Sequence, residues 1–422
     1  MTSNKKRWFI LTVICMGGGI IYILPYIQYS FYNELQQAFG INNVQMGNLM
    51  SLLGIVATFA YLFGGILADK FNVKWLISLS LAVTGIAGLW FSTFPSYPQL
   101  LIIMGIYGIS TILTYWPAMI KAVKLLGSED NQGRMFGFRE AGFGIFAFVY
   151  SQVGIWLIYN ASPDINGVRN LIIYYSIIYL VTAVLSFIFI PNSTKTGKTE
   201  KTSAEELFNG IKFVIKIPAV WLIGLSVFCA YAISGAGLGK LVPYWTSVMG
   251  IDSSKAAALS SLRLYLFPFL AAPLGGLLVD KFKSSTKYLN IAYILLIISL
   301  IIFVIIPGTT NMAVLAVILG LMASFIIYTM RGTYFVPMAE ANIPNKYLGT
   351  AAGIISFIGF LPDAFMFTLF GKMMGDAPGV VEYKTIFGIC IGLGIAGFMF
   401  NKIVQNMLVK RSEKVHAENH SL

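Results

Sequence analysis

Long apolar runs separated by short polar stretches make up most of the chain. Each run has about 20 residues or more, the length that an α-helix needs to cross a bilayer. The runs lie at about residues 8–30, 45–68, 75–94, 99–123, 135–158, 170–190, 219–243, 256–279, 288–307, 312–336, 349–373 and 385–409. The pattern therefore predicts an all-α polytopic membrane protein with twelve transmembrane helices, six in each half.

One eight-residue sequence occurs twice, half a chain length apart. Residues 64–71 read GGILADKF and residues 275–282 read GGLLVDKF, so six of eight positions are unchanged after 211 residues. A repeat at this distance is typical of a secondary transporter with two pseudo-symmetric halves. We therefore predict two six-helix bundles at 1–190 and 218–409, a cytoplasmic linker at 191–217 and a cytoplasmic tail at 410–422.

Composition and charge support a membrane protein. Hydrophobic residues are 57% of the chain and charged residues 11%, which is too little polar surface for a soluble domain of this size. Of the 29 lysines and arginines, 22 fall on one side of the predicted spans, which predicts a multi-pass protein of the cytoplasmic membrane with both termini cytoplasmic. Anionic lipids on that side account for the net charge of +12, so nucleic-acid binding is not expected.

Residue types that bind metals or perform catalysis are scarce in the predicted spans. Cys15, Cys229 and Cys390 lie inside spans and are interpreted as small packing residues. His416 and His420 lie in the polar tail. No nucleophile or metal constellation is visible, so we predict neither an enzyme nor a cofactor or metal. A receptor would usually carry an added soluble domain.

The linker changes character near its middle. Ser203 is a candidate N-cap before two glutamates, and Leu207, Ile211 and Val214 then recur at helical spacing before Pro218. We predict an amphipathic helix that lies along the inner membrane face and ties the halves together. A partly ordered linker is the alternative.

The sequence after the second span resembles the hallmark motif of the major facilitator superfamily. That motif has the form Gly-x-x-x-Asp-(Arg/Lys)-x-Gly-(Arg/Lys)-(Arg/Lys), and residues 65–74 read GILADKFNVK, with Asn72 and Val73 departing from it. The resemblance implies two six-helix bundles that alternate between access from either side. It also implies that the motif is a gating latch, with a carboxylate at the free N–H groups of a neighbouring helix.

The gating residues predicted from the two copies are Gly65, Asp69, Lys70, Gly276, Asp280 and Lys281. We expect Gly65 and Gly276 to allow close helix approach. The expected partners are the start of the eleventh span near Thr350 for Asp69, and the start of the fifth near Arg134 for Asp280. Loop charges that only set topology are the alternative.

Ionisable residues within spans are costly and are therefore candidates for function. Arg263 lies in the eighth span, and Lys121 and Arg331 lie at corresponding ends of the fourth and tenth. Facing cations indicate an anionic solute, although both side chains could instead extend to lipid headgroups. The predicted solute-binding residues are Tyr22, Tyr26, Lys121, Arg263, Tyr328 and Arg331. For the tyrosines, ordinary helix packing is the alternative.

Only two carboxylates at depth qualify as proton carriers, Glu140 in the fifth span and Asp363 in the eleventh. Adjacent residues on a helix point about 100° apart, so we expect Glu140 not to face Arg139 and to have another partner or none. Asp363 would be structural if Arg263 holds it ionised. We rank Glu140 first.

These observations predict a secondary active transporter of a small organic solute, anionic or zwitterionic, that is proton-coupled and monomeric. Residues 331–334 (RGTY) and 349–353 (GTAAG) are similar to bacterial permeases near the organic-anion and sugar-phosphate carriers, although the first-span arginine of sugar-phosphate antiporters is absent. A multidrug exporter of the same superfamily and an uncoupled facilitator are the alternatives. The fifth span lacks the proline of the drug-antiporter motif.

Overall fold

The computed structural model describes residues 4–126, 132–161, 165–192, 204–341, 343–344 and 347–420, and all regular structure in these residues is helical. The α-helices in chain order are α1 (Asn4–Ile21), α2 (Tyr32–Phe39), α3 (Asn43–Lys70), α4 (Val73–Phe91), α5 (Tyr97–Gly108), α6 (Trp116–Leu126), α7 (Gln132–Trp156), α8 (Ile165–Phe189), α9 (Ala204–Val214), α10 (Pro218–Ala232), α11 (Leu241–Ser247), α12 (Ser253–Ser261), α13 (Phe267–Phe282), α14 (Ser285–Ile305), α15 (Ala313–Arg331), α16 (Pro337–Glu340), α17 (Leu348–Phe360), α18 (Met366–Met374) and α19 (Val380–His420).

Within the described ranges, 11 helical segments are long and apolar enough to cross a membrane, and they coincide with the second to twelfth predicted spans. The first predicted span is interrupted, because α1 ends at Ile21 and a turn follows at residues 22–26. Pro25 lies in this turn and has no N–H group to continue the helix. The predicted all-α membrane fold is confirmed.

A second interruption occurs in the seventh span, at the position that corresponds to the first. There α10 is followed by a π-helical turn, Ile233–Gly237, and a 3₁₀ turn, Leu238–Lys240, before α11 begins. The π-helical turn lies 211 residues after the turn at 22–26, the same distance that separates the two motif copies. Interrupted helices at matching positions of two repeats are typical of solute sites in transporters.

Besides the π-helical turn Leu157–Ala161 at the end of the fifth span, two further π-helical turns lie inside spans. Ile109–Tyr115 joins α5 to α6, and Leu262–Leu266 joins α12 to α13. Such turns insert an extra residue into a helix and are frequent at functional sites. Both turns carry or directly precede residues of the candidate site described below.

The chain forms two compact units that do not follow the two halves of the sequence. Unit 1 contains Met1–Gly197, Val242–Phe269 and Asp363–Gly379, and unit 2 contains Lys198–Leu241, Leu270–Pro362 and Val380–Leu422. Unit 1 therefore includes one end of the seventh, eighth and eleventh spans together with all six spans of the first half. The division into two six-helix bundles stays a prediction from the repeat.

Hydroxyl pairs in unit 1 fix the π-helical turn of the fourth span against α4. Ser80 and Thr114 are hydrogen-bonded at 2.6 Å, and Thr84 and Ser110 at 2.8 Å. In a bilayer no water is available to these hydroxyl groups, so hydrogen bonds between helices satisfy them. They position Trp116, the first residue of α6.

In unit 2, hydrogen bonds between amide side chains fix α14 against α19. Asn401 donates to the Asn290 side chain at 2.8 Å, and Asn290 donates to Gln405 at 3.0 Å. All three residues are buried. The network fixes the last span against the ninth, so that unit 2 has a polar connection in its interior as unit 1 does.

A helix, α9, lies within the predicted linker and packs on the start of α17 in unit 2; its place along the inner membrane face stays a prediction. The rings of Phe213 and Tyr347 are stacked with centroids 4.6 Å apart. A Cβ atom on Gly210 would lie 3.2 Å from the Thr350 hydroxyl. The helix thus contacts the beginning of the eleventh span. Residues 193–203 of the linker lie outside the described residues.

Candidate functional site

The turn that interrupts the first span carries two of the predicted solute-binding tyrosines. The ring centroids of Tyr22 and Tyr26 are 6.2 Å apart, and both side chains are half-buried. Tyr22 also lies 6.4 Å from each of the rings of Trp116 and Phe143, and Tyr26 stacks on Tyr29 at 5.8 Å. The interruption therefore collects aromatic rings from the first, fourth and fifth spans.

Arg139 of α7 lies against the same rings. Its guanidinium carbon is 5.1 Å from the ring centroid of Trp116 and 5.5 Å from that of Phe143, and its side chain is 4% exposed. A guanidinium over an aromatic face is attracted by the negative charge of the ring face, most strongly where water is absent. We call Tyr22, Trp116, Arg139, Glu140 and Phe143 the Arg139 cluster.

Arg139 and Glu140 form an ion pair, in which Arg139 Nη1 contacts Glu140 Oε1. The expectation that these neighbouring residues do not meet was wrong. The physical reason is the length of the arginine side chain: its guanidinium rests on the two rings in a position from which Nη1 reaches the next carboxylate. The Glu140 side chain is 58% exposed, in contrast to its partner.

A second arginine with aromatic neighbours lies in unit 2. The guanidinium carbon of Arg331 is 5.5 Å from the ring centroid of Tyr231 and 5.4 Å from that of Tyr328. Tyr231 in turn packs on Phe360, with centroids 4.7 Å apart. Arg331 is exposed, whereas Tyr328 is buried. We call Tyr231, Tyr328, Arg331 and Phe360 the Arg331 cluster.

The remaining predicted ionisable residues at depth belong to unit 1. Arg263 lies in the π-helical turn Leu262–Leu266 and is 2% exposed. Asp363 lies half-buried in the 3₁₀ turn Leu361–Ala364, between α17 and α18. Each of these charged residues is thus located at a departure from α-helical geometry.

Lys121 is bound to the backbone at the end of the helix that carries the first motif copy. Its Nζ donates to the carbonyl oxygen of Ala68 at 2.7 Å. Ala68 is buried in the last turn of α3, where carbonyl groups lack helical partners. At least one donor of this predicted solute-binding lysine therefore stabilises a helix end.

The first glycine of each copy of the repeated motif makes a close helix contact. A Cβ atom on Gly64 would lie 3.0 Å from the Leu113 carbonyl oxygen, and one on Gly275 would meet the backbone of Thr329. A Cβ atom on Gly276 would meet nothing within 4 Å. The expectation for Gly276 was wrong, because one residue of helix rotates the side-chain direction by about 100°.

The charged motif residues lie at helix ends. Lys70, Asp280 and Lys281 are exposed. The described side chains do not include those of Gly65 and Asp69, nor that of Arg134. The latch contacts predicted for both aspartates therefore stay predictions.

The residues predicted from the sequence do not include one buried cation, Lys240. Lys240 ends the 3₁₀ turn after the interruption of the seventh span and is 3% exposed. The signal was available, since this lysine lies inside the seventh predicted span. Arg139 was also left out of the predicted site, because its aromatic neighbours come from other spans and cannot be found from local spacing.

Within unit 1, the end of α3 that lies far from the motif is in direct contact with α18. A Cβ atom on Gly47 would meet the Phe367 carbonyl oxygen, and one on Gly371 would meet that of Asn43. Thr368 Oγ1 is 2.8 Å from Asn48 Oδ1 and 3.0 Å from Ser51 Oγ. We call Asn43, Gly47, Asn48, Ser51, Phe367, Thr368 and Gly371 the distal contact.

The same end of unit 1 has further uncharged contacts between the two sequence halves. Ser260 donates to the Tyr29 carbonyl oxygen at 2.7 Å, and Asn33 donates to the Thr246 hydroxyl at 2.7 Å. Backbone carbonyls, hydroxyls and amides make these contacts. In the described part of the chain, no group of three His, Cys, Asp or Glu residues is arranged to hold a metal ion.

Comparison with known proteins gives the family. Residues 8–367 match the family model described as Major Facilitator Superfamily. The chain is 30% identical over 411 residues to the inner membrane protein YihN of Escherichia coli, covering 97% of this chain and 96% of the relative. The chain therefore belongs to the major facilitator superfamily, and it is a multi-pass membrane protein of a family that transports small solutes.

Two further similarities are relevant to the site. The human lysosomal dipeptide transporter MFSD1 is 24% identical over 390 residues, covering 89% of this chain and 76% of the relative. A crystal structure of a bacterial homologue of the human lysosomal transporter Spinster, inward-facing and unoccupied, has a TM-score of 0.76 at 16% identity. That alignment covers 97% of this chain and 98% of the other, and it shows the shared fold.

Proposed function

We propose that the chain moves a small organic solute with a carboxylate or similar anionic group across the cytoplasmic membrane by alternating access. The observation that carries this proposal is Arg263, an arginine within a span that is 2% exposed. A cation at such depth is costly and marks a ligand or ion path in most membrane proteins. The solute is an anion or a zwitterion.

The proposed solute-binding residues are those predicted from sequence, Tyr22, Tyr26, Lys121, Arg263, Tyr328 and Arg331. The aromatic neighbours of Arg331 support its role, because Tyr231 and Tyr328 restrict the guanidinium while leaving its side chain exposed. A planar guanidinium binds carboxylates through two parallel hydrogen bonds. The human relative MFSD1 is named a lysosomal dipeptide transporter, which supports a zwitterion as one of the two solute classes.

Alternating access would require the distal contact to open while the motif end closes. We propose that Gly65, Asp69, Lys70, Gly276, Asp280 and Lys281 form the latch at the motif end. We further propose that transport is coupled to protons, with Glu140 ahead of Asp363 as the carrier. Both termini are proposed to be cytoplasmic and the protein monomeric, surrounded by membrane lipids.

A multidrug exporter is the second candidate, and the aromatic rings of both clusters favour it. Aromatic faces attract lipophilic cations as well as arginines. The arginines in the same clusters oppose it, because a second cation at a few ångströms is repelled in a medium of low dielectric constant. An uncoupled facilitator is the remaining alternative to proton coupling.

A thermal-shift screen of the purified protein tests the solute class. Organic acids, amino acids, dipeptides, sugar phosphates and lipophilic cations are compared, since a ligand that binds only the folded state raises the melting temperature. We expect acids or zwitterions to give the largest shifts, and uptake of the same compounds into proteoliposomes. Shifts confined to lipophilic cations would contradict the proposal and favour the exporter.

A further inference from the structure

Five half-buried aromatic rings form a continuous row in unit 1. Tyr22 is at the centre of this row, since its ring centroid lies 6.4 Å from those of Trp116 and Phe143 and 6.2 Å from that of Tyr26. Tyr26 stacks on Tyr29, with centroids 5.8 Å apart and an angle of 7° between the ring planes. We call these five residues the aromatic row.

The aromatic row differs from the tyrosines that only pack helices together. Tyr107, Tyr115, Tyr175 and Tyr179 of the same unit are 0% exposed, as expected for side chains that fill the space between helices. Each ring of the aromatic row instead keeps part of its surface accessible. That accessible aromatic surface is available to a ligand.

The accessible surface of the row is directed away from the lipid. In α7, Ile145, Val149 and Trp156 form the lipid-exposed stripe and are 53%, 49% and 58% exposed. At about 100° per residue, Phe143 points roughly 200–240° away from these three side chains. Tyr22 and Tyr26 lie in the turn that interrupts the first span, and interrupted helices are where transporters commonly bind their solutes.

The row ends at the distal contact. The ring of Tyr29 lies 6.3 Å from the ring of Phe367, which is part of that contact. At the other end of the row, the Arg139 guanidinium rests on Trp116 and Phe143. If the distal contact opens, as alternating access requires, a solute that enters there meets a series of aromatic faces.

Unit 2 contains a similar series of rings beside its own arginine. Arg331 lies over Tyr231, and the ring of Tyr231 is 4.7 Å from that of Phe360. Phe335 follows at 6.4 Å from Phe360, and Tyr334 at 4.9 Å from Phe335. Tyr231 lies next to the end of α10, where the seventh span is interrupted. Each unit thus combines an arginine, an interrupted helix and several neighbouring rings.

The chemistry of unit 1 restricts the kind of compound that fits the row. Arg263 is 2% exposed, and the turn that carries it packs on α7, the helix of Phe143. An aromatic cation would be repelled by this guanidinium in a medium of low dielectric constant. A sugar would need partners for several hydroxyl groups, whereas the row offers phenol groups on three of five rings. An aromatic ring attached to an anionic group suits both features.

We propose that the aromatic row binds an aromatic ring of the solute, so that the transported compound is an aromatic carboxylate or a zwitterion with an aromatic side chain. This inference rests on the proposed transport of an anion or zwitterion and adds the apolar part of the solute to it. Aromatic pairs prefer tilted or offset-stacked arrangements with centroids about 4.5–7 Å apart. The rings of the row already have this spacing among themselves, and a solute ring extends the same pattern.

The test compares three acids that share a carboxylate and differ in the group attached to it. They are 3-phenylpropanoate, 3-cyclohexylpropanoate and propanoate, and 3-phenylpropylammonium carries the same ring with the opposite charge. Dissociation constants are measured by isothermal titration calorimetry with the purified full-length protein. The aryl preference is the dissociation constant of 3-cyclohexylpropanoate divided by that of 3-phenylpropanoate.

The wild type should have an aryl preference of roughly two- to tenfold, the range expected for contacts between aromatic rings. The saturated ring has at least as much apolar surface to bury, so burial alone would not favour the phenyl group. Propanoate should bind about tenfold to a hundredfold more weakly than 3-phenylpropanoate, because it has no ring to bury. 3-Phenylpropylammonium should bind more weakly than 3-phenylpropanoate.

Substitutions of Tyr26 separate the aromatic ring from its hydroxyl group. Tyr26→Leu keeps an apolar side chain and should lower the aryl preference severalfold, while Tyr26→Phe keeps the ring and should retain the preference. A general disturbance of the structure would weaken both cyclic acids alike and leave their ratio unchanged. If Tyr26→Leu does not fold, the same two substitutions are made at Tyr22.

Tyr174→Leu is the matched control. Tyr174 is also half-buried in unit 1 and also has a ring neighbour, Tyr175, at a centroid distance of 5.2 Å. It belongs to α8 and lies outside the aromatic row. Its replacement should leave the affinities and the aryl preference within about twofold of the wild type, as is usual for residues outside a site.

The outcomes distinguish this inference from the broader function. Equal affinities of the two cyclic acids, or tighter binding of the cyclohexyl compound, would overturn ring binding and leave the proposed anion or zwitterion transport standing. An aryl preference that persists in Tyr26→Leu and Tyr22→Leu, or that is lost in Tyr26→Phe, would also overturn it. Binding of none of the acids would overturn it as well. Binding of 3-phenylpropylammonium alone would overturn the proposed function too.

Discussion

The distal contact and the Arg139 cluster are both in unit 1, yet they are built from different chemistry. The distal contact consists of glycines against backbone and of hydroxyl and amide pairs such as Thr368 with Ser51. The Arg139 cluster contains a buried guanidinium, a carboxylate and three aromatic rings. Uncharged contacts can separate and be hydrated at small cost, whereas a buried charge needs a partner in every state.

This difference indicates a division of roles. Surfaces that open and close in each cycle are expected to be neutral, so that the free energies of the open and closed states stay within a few kcal/mol of each other. Burying a charged group that binds a solute costs free energy, and neighbouring carboxylates and aromatic rings offset this cost. The following substitutions test this division, beginning with the largest expected effect.

Arg263→Gln tests whether a buried charged residue binds the solute. Removing a charged hydrogen-bond donor from a solute site should weaken solute binding by about 1.5–3 kcal/mol, roughly ten- to a hundredfold. The solute is the compound with the largest effect in the thermal-shift screen, and its dissociation constant is measured by calorimetry. Lys255→Gln, an exposed lysine of the same span, is the control. Equal affinities of Arg263→Gln and wild type would remove Arg263 from the site.

Gly47→Ala tests whether the uncharged distal contact opens and closes. The new methyl group would meet the Phe367 carbonyl oxygen, and such overpacking costs about 2 kcal/mol, or roughly 30-fold in the equilibrium between closed and open distal contact. We expect faster labelling of a cysteine introduced at Ser51 by a membrane-impermeant maleimide. The native cysteines are buried, so background labelling should be low.

Gly105→Ala is the matched control for this substitution. A Cβ atom at Gly105 would meet nothing within 4 Å, and the residue lies in α5 of the same unit. Its replacement should leave the labelling rate at Ser51 unchanged. Unchanged labelling in Gly47→Ala as well would mean that the distal contact does not control access to this surface.

The sequence was sufficient for the second to twelfth spans and for the repeat. The length of each apolar run and the two copies of the motif are properties of the local sequence. They can therefore be recognised without knowing how the helices pack. Pro25 could also have indicated the interruption of the first span, since proline removes a backbone donor. The corresponding interruption after Ala232 contains no proline and follows from packing, which local sequence does not reveal.

The side-chain geometry of the site could not be predicted in the same way. The pairing of Arg139 with Glu140 depends on Trp116, which is 23 positions away in the chain, and on the π-helical turn that sets its direction. The choice between Gly275 and Gly276 depends on where Thr329 of another span approaches. Rotation about a helix axis is set by neighbouring helices, and a periodic pattern leaves it undetermined.

Asp69→Asn tests the latch predicted at the motif end, opposite the distal contact. A carboxylate near a helix N-terminus contributes about 0.3–1 kcal/mol, and its loss should lower the transport rate severalfold without lowering expression or melting temperature. Asp280→Asn should have a smaller effect, because its loop departs further from the motif. Normal uptake by well-expressed Asp69→Asn in proteoliposomes would exclude a gating role.

The smallest effect is expected for Lys121→Gln. This substitution decides whether Lys121 mainly binds the solute or mainly caps the end of α3. A lysine has three N–H donors, and at least one of them binds the Ala68 carbonyl at the end of α3. Solute affinity should therefore fall by only about threefold, less than for Arg263→Gln, because the charge is already engaged at a helix end. Lys121→Arg should restore both affinity and transport rate, since a guanidinium can also cap that carbonyl. A loss of affinity in Lys121→Gln as large as that in Arg263→Gln would assign the lysine to the solute, and the Ala68 bond would then be secondary.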